Sequence, residues 1–429
     1  MALLSLPPEI LDKICQLFCS HCQTESLSHF PHKQALVTPC PSQIWEHDSE
    51  GVKALVNLSE TCQALNTFAL SHLYHRVSSK SGVIDHLRFP VYSPDYRTDA
   101  LKNVRSLSLA YTREITHLNN QLLGRRKRGI TFNDMVKLMP RIQLLHITLS
   151  FERKINIPES TTLESLRYLH IEGPDIIGGR AEPCNLEFAD LFQQAPKIDT
   201  LIIQAGILSW SSRSTGLGNV KCLKMVNTFV SQRDLSFLVD SCPRLESFIF
   251  FNSKAPSPLP YLGADRVILE TLPQVLSLRQ NTLRYLEVYW GPYPSGTSIM
   301  SSLKDLTNLE TFIFGGQDFP FKDDKKRIPL RSCLVDLLPP SIHSVTIESK
   351  YQNLYEPMCA LAEATRNGSF PNLKEVRQYN FGMKLGFTLA IMQTLGNGPF
   401  RLDNDPYRDL EGLRRRNFDG KGTSCMAGC

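Results

Sequence analysis

The sequence predicts an α/β solenoid with a parallel sheet on its concave face, preceded by a small helical N-terminal block. Two observations carry this. The apolar triplet Leu166, Leu169 and Ile171, at i, i+3 and i+5, recurs ten times along the chain. The length of 429 residues also exceeds what one ordinary core spans. A repeat array reaches such lengths because each unit packs only on its neighbours.

The last two members of each triplet sit two apart, as on one face of a strand; the first falls where the chain still turns into it. The ten triplets begin at Val104, Ile142, Leu166, Ile198, Val220, Leu245, Leu283, Leu309, Ile342 and Leu373, at spacings of 22 to 38 residues. In the tenth, Gln378 takes the third apolar place, as suits a terminal unit. Short helical patterns precede several triplets: 132–138, 188–194, 235–241, 334–338 and 358–365. Pro196 and Pro243 then break the helix before the strand. Helix, turn and short strand per unit resemble an irregular leucine-rich-repeat array, here placed at 81–400 with insertions in its longer repeats. Phe248, Phe250, Phe312 and Phe314 in place of leucine predict wide spaces between repeats, filled by aromatic bulk.

Side chains alternate along a strand, so the residues between the inward positions face the concave surface. They include Tyr168, His170, Glu172, Gln204, Phe251, Tyr285, Glu287, Tyr289, Arg377 and Tyr379, with Trp290 beside them. Aromatic residues dominate binding hot spots, which makes this row the candidate substrate-binding face.

In the N-terminal block, Pro7-Pro8-Glu9 reads as a helix start. Ile10, Ile14, Leu17 and Phe18 then form an apolar stripe. A second helical block covers 52–77, with Leu55, Leu58, Cys62, Leu65, Ala69 and Leu73 recurring at three or four. The polar stretch 20–50 between them reads as a loop insertion. The Leu6-Pro7-Pro8-Glu9-Ile10-Leu11 opening, the Leu58/Cys62/Leu65 segment and the closing Leu73-Tyr74 resemble the F-box. The whole is similar to fungal-type F-box proteins with C-terminal leucine-rich repeats. That resemblance covers residues 1–80. It implies a partner, the Skp-type adaptor of a cullin–RING ubiquitin ligase, bound through Leu6, Pro7, Pro8, Ile10, Leu11 and Ile14, with Leu55, Leu58 and Leu65 further on. A half-exposed helix face would be completed by the partner's helices.

Composition narrows the remaining classes. Hydrophobic content of 42% and charged content of 21% describe an ordinary folded protein. A net charge of +5 does not call for nucleic acid. No apolar run approaches the roughly 20 residues of a membrane span. The start MALLSLPPEIL carries acidic Glu9 and Asp12 and no basic region, so no secretion signal is expected. The twelve cysteines are then expected as reduced thiols in a cytoplasmic or nuclear protein.

Cys19-x-x-Cys22 with His29-x-x-His32 has shorter spacing than a zinc finger and reads as a surface loop, so no metal or other cofactor is expected. Arg125-Arg126-Lys127-Arg128 and Arg414-Arg415-Arg416 read as solvated basic runs. The chain from 401 to 429 reads as a polar, flexible tail. No nucleophile elbow, phosphate loop or HExxH occurs, and no catalytic residue is expected. The resulting expectation is a substrate-recognition subunit of a Skp–cullin–F-box ubiquitin ligase that holds an unidentified protein substrate. The alternative is a repeat scaffold whose N-terminal helices only cap the array.

Overall fold

Two prolines start the first helix. In the computed structural model, Pro7 stands at the N-cap of α1 (Pro8–Phe18), and its carbonyl accepts from Ile10 N and Leu11 N at 2.9 and 3.2 Å. Pro8 occupies the first turn, where a missing N–H costs nothing. The structure describes residues 6–19, 22, 49–78, 101–110, 136–149, 162–173, 189–204, 207–208, 215–252, 269–290, 300–315, 321–323, 328–349, 354–380 and 400–401. Two further helices follow α1: α2 (Ser49–Thr61) and α3 (Gln63–Leu73). They pack on each other, and α1 packs on both. Cys15, Cys19, Leu55 and Ala69 are the buried centre, with Leu58, Phe68 and Leu73 packed against it.

The described residues divide into two compact units, the first ending at His170 and the second beginning at Ile171. In the first, α3 runs directly into β1 (Arg76–Ser78), which pairs in parallel with β2 (Ser106–Ala110). β3 (Leu144–Thr148) and β4 (Tyr168–Glu172) follow in order. The sheet thus begins before the boundary drawn at residue 81, because α3 occupies the place of a preceding repeat.

The second unit continues the plan. β5 (Thr200–Gln204), β7 (Cys222–Val226), β9 (Ser247–Asn252), β10 (Tyr285–Trp290), β11 (Thr311–Gly315), β14 (Ser344–Ser349), β15 (Glu375–Asn380) and β16 (Phe400–Arg401) lie side by side in that order. Two small pairs stand outside the ladder: β6 (Ile207–Leu208) with β8 (Phe229–Val230), and β12 (Phe321–Asp323) with β13 (Ile328–Pro329). Arg401 pairs with Arg377, so the start of the expected tail belongs to the sheet. The helices of this unit's repeats are short: α4 (Ala189–Gln194), α5 (Gln232–Asp240), α6 (Leu272–Leu276), α7 (Cys333–Leu337) and α8 (Tyr355–Arg366). Helix, turn and parallel strand repeat as in a leucine-rich-repeat solenoid.

Each of the ten triplets ends in one of these parallel strands. In register they form two inner rows, such as Leu223, Phe248, Leu286, Phe312 and Val345 beside Met225, Phe250, Val288, Phe314 and Ile347. These residues are buried to 2% exposure or less. Phe248 stacks with Phe250 at 6.2 Å between centroids, and Phe312 with Phe314 at 5.9 Å, each pair within its own strand.

Two hydrogen-bond patterns recur at most of the strand entries. The first triplet residue donates its N–H three residues back, as in Val104 to Leu101, Ile142 to Met139, Leu166 to Leu163, Val220 to Leu217, Leu245 to Cys242 and Leu309 to Leu306. Those acceptor residues are themselves buried, so the repeat signature extends to i−3. Next, one carbonyl accepts two N–H groups of the following repeat. Arg105 O takes Gln143 N and Leu144 N; Glu246 O takes Arg284 N and Tyr285 N; His343 O takes Lys374 N and Glu375 N. A carbonyl has two lone pairs, and here both are used. The first such acceptor is His75 O, which takes Arg105 N and Ser106 N at 3.0 and 2.8 Å.

Candidate functional site

The row between the two inner rows comes from the middle residue of each strand. In the second unit the register aligns Ile202, Lys224, Ile249, Glu287, Ile313, Thr346 and Arg377. Ile202, Ile249 and Ile313 are buried at 5%, 3% and 5% exposure. Polar residues alternate with isoleucine over the first five places, so Glu287 lies between two apolar neighbours.

Glu287 is itself buried, and Tyr285 Oη donates to its Oε2 at 2.5 Å. Burial pushes the Glu287 carboxyl above its ordinary range; the Tyr285 hydrogen bond and the Lys224 charge only partly offset it. Burial, then the Glu287 charge and hydrogen bond, push the Tyr285 phenol upward too, so the phenol stays a donor. Cys222, on the same edge as Tyr285, is pushed by burial up to about 11 and is no reactive thiolate.

Phe251 and Tyr289 meet with centroids 5.1 Å apart, and Phe251 is buried. The Tyr289 ring occupies the space that a Cβ on Gly315 would need. Gln204 is half-buried, and Arg377 Nη2 pairs with Glu375 Oε1 at 2.8 Å. In the first unit His170 is buried and stacks on His146, with centroids 4.3 Å apart. Ser108 Oγ lies 3.0 Å from His146 Nδ1. Tyr168 and Glu172 flank His170, half-buried.

The expectation of an open concave row therefore needs correction at His170, Phe251 and Glu287. They are buried, because strands stacked about 4.8 Å apart bring bulky neighbours into lateral contact. The half-buried residues, Tyr168, Glu172, Gln204, Tyr285, Tyr289 and Arg377, retain accessible surface. Trp290 and Tyr379 belong to β10 and β15, and their side chains lie outside the described residues.

The helical module carries a second set. Along α1, Leu11, Cys15 and Cys19 point inward at i, i+4 and i+8 and are buried. Ile10, Leu17 and Phe18 lie outward with 39%, 67% and 39% exposure, and Ile14 between them is half-buried. Successive residues turn by about 100°, so α1 has an apolar arc wider than its own core uses. On α2, Val52 and Val56 are exposed to a similar degree, 37% and 38%. Of the residues implicated in adaptor binding, Pro7, Pro8 and Ile10 are exposed and Leu6, Ile14 and Leu58 half-buried. Leu11, Leu55 and Leu65 are buried in the module's own core. Leu17, Phe18, Val52 and Val56 were absent from that set; exposure on an apolar face distinguishes them, and the sequence pattern alone does not.

Cys19 and Cys22 do not form the expected surface loop. Cys19 is buried and Cys22 half-buried, and both are thiols outside any disulfide, close to His72 and His75. His72 falls in the last turn of α3, and His75 N donates to His72 O at 3.2 Å. Their rings meet edge-on with centroids 4.7 Å apart. The hydrogen bond from Cys22, aided by those with His72 and His75, pulls the Cys19 thiol far below its ordinary range despite burial. His29, His32 and both basic runs lie outside the described residues.

No protein-family model matches the sequence, and no curated protein matches it. Among solved structures, an internalin from Listeria monocytogenes is similar over 83% of this chain and 94% of that one, at 12% identity and a TM-score of 0.35. The repeat assignment stands on the chain's own ladder of paired strands. Among the described residues, no helix is long and apolar enough to cross a membrane.

Proposed function

We propose that this chain is a non-catalytic protein-interaction subunit of a cullin–RING ubiquitin ligase, acting in the cytoplasm or nucleus. The outer face of α1 docks on a Skp-type adaptor, and the half-buried side chains of the repeat strands hold a protein substrate. The observation that carries this reading is the division of α1 into two apolar faces: Leu11, Cys15 and Cys19 serve the module's core while Ile10, Leu17 and Phe18 stay exposed. Together with Val52 and Val56 they offer the surface that a helix-in-groove contact requires. The chain's contribution is proximity, turning ubiquitin transfer from a bimolecular encounter into a local one.

The alternative, a scaffold with a helical cap, is favoured by the hydrogen bonds from Arg105 and Ser106 to His75 O, which tie the residue that follows α3 to the entry of β2. The two roles use different residues of the module and are compatible. Copurification of the full chain with the adaptor separates them. The ligase reading expects a complex that is lost on Ile10→Asp or Phe18→Asp. No complex, or one indifferent to Ile10 and Phe18, leaves the scaffold reading alone.

A further inference from the structure

We infer that Cys19, Cys22, His72 and His75 bind one zinc ion, which fastens the end of α1 to the end of α3 where the helical module passes into the first strand. Each side chain offers one ligand atom, and these four atoms lie within 4.8 Å of one another. A tetrahedral zinc with bonds of about 2.3 Å to sulfur and about 2.0–2.1 Å to nitrogen sets a sulfur and a nitrogen ligand roughly 3.5 Å apart. Cys22 Sγ lies 3.4 Å from His75 Nδ1 and 3.5 Å from His72 Nδ1; Cys19 Sγ lies 3.7 Å from His75 Nδ1. The group therefore has both the donor set and the spacing of a closed Cys2His2 site.

A second observation is independent of the spacing. His72 Nε2 lies 2.9 Å from Asp12 Oδ1, a carboxylate on α1. With the ring proton on Nε2 and donated to Asp12, the lone pair of Nδ1 faces the sulfurs. A carboxylate that fixes the tautomer and tilt of a ligating histidine is the usual outer partner of such sites. The short contact thus has a use that core packing does not require.

The chemistry closes. Two thiolates balance the charge of the ion, two neutral imidazoles complete the tetrahedron, and any proton these ligands still carry is released to solvent on binding. With four protein ligands no position is left for substrate or water, so the site is structural. It joins segments roughly 50 residues apart, a loop whose closure otherwise costs chain entropy. His75 supplies a ring to this cluster and its carbonyl to Arg105 and Ser106. One residue thus links the ion to the first rung of the ladder.

The test uses the full chain, purified under reducing conditions. Elemental analysis is expected to find one zinc per chain. Chelation followed by Co2+ is expected to give the visible absorption of a tetrahedral, sulfur-ligated ion, displaced by Zn2+. Cys22→Ser and His75→Ala are each expected to lose the stoichiometric zinc. Asp12→Asn is expected to keep it with affinity lowered about 10–100-fold. A reduced chain that remains folded and takes up neither Zn2+ nor Co2+ overturns the inference, as does zinc retained at one per chain in the Cys22→Ser/His75→Ala double variant. If those variants do not fold, the titrations of the unaltered chain and of Asp12→Asn decide.

Discussion

Tyr285 Oη donates to Glu287 Oε2 at 2.5 Å, two residues along the same strand and between the isoleucines of neighbouring strands. Burial raises the carboxyl's folded pKa above its ordinary 4.5. The folded state then binds more protons than the unfolded one, so stability falls with rising pH. This contribution is fully present below the unfolded pKa and is lost as pH climbs through the raised folded value. Glu287→Gln keeps an acceptor for Tyr285 and removes the charge. Denaturation at a series of pH values should show a slope of up to about 1.4 kcal/mol per pH unit in the parent above pH 4.5, flattened in the variant.

Gly315 and Tyr289 make a steric prediction. Their strands pair in register, Tyr289 opposite Gly315, and the ring lies where a Cβ would stand. Gly315→Ala should force the ring aside and cost about 1–3 kcal/mol. The same change in a Tyr289→Ala background should cost much less, because the two effects share one volume. Equal costs in both backgrounds would show that backbone conformation matters there, not the ring.

The ladder was legible because its signal is periodic: an apolar step of two within a strand can be read without knowing its neighbours. Each triplet from Val104 to Leu373 ends in a paired strand for that reason. β1 and β16 were hidden because they have two or three residues each and no triplet. The state of Glu287 was hidden too. Its neighbours Ile249 and Ile313 lie 38 and 26 positions away in sequence, and only the register brings them together. The metal cluster failed similarly. In sequence, the nearest histidines to Cys19 and Cys22 are His29 and His32. The structure selects His72 and His75, whose own x-x spacing mirrors that of the cysteines across a far longer loop than a zinc finger uses.

The phenylalanines of the inner rows should be the most costly positions in the array. Phe312 is 1% exposed and stacks with Phe314. Phe312→Ala should lose about 3–5 kcal/mol through lost burial and the cavity left behind. Phe312→Leu, which restores the residue type typical of the repeat, should lose clearly less. Chemical denaturation of the two variants measures the difference.

The two faces of α1 should separate under alanine substitution. Leu11 is 4% exposed and Ile10 is 39% exposed. Leu11→Ala should destabilise by about 2–5 kcal/mol. Ile10→Ala should change stability by no more than about 0.5 kcal/mol. Thermal unfolding of both variants tests whether the outward face is dispensable for folding, as a docking face must be.

The end of α8 isolates a backbone effect from packing. Gly368 has φ of +81° and nothing within 4 Å of where a Cβ would project. Its N–H reaches Thr365 O at 3.0 Å, and Ser369 N reaches Ala364 O at 2.9 Å. That pair of bonds closes the helix in a Schellman motif, which needs a left-handed residue at this place. Gly368→Ala should therefore cost about 1–2 kcal/mol through the strain of that conformation alone. Gly368→Asn should cost less, since asparagine tolerates the left-handed region. Equal losses for the two variants in equilibrium unfolding would mean that crowding, not φ, sets the cost, against the open space around this glycine.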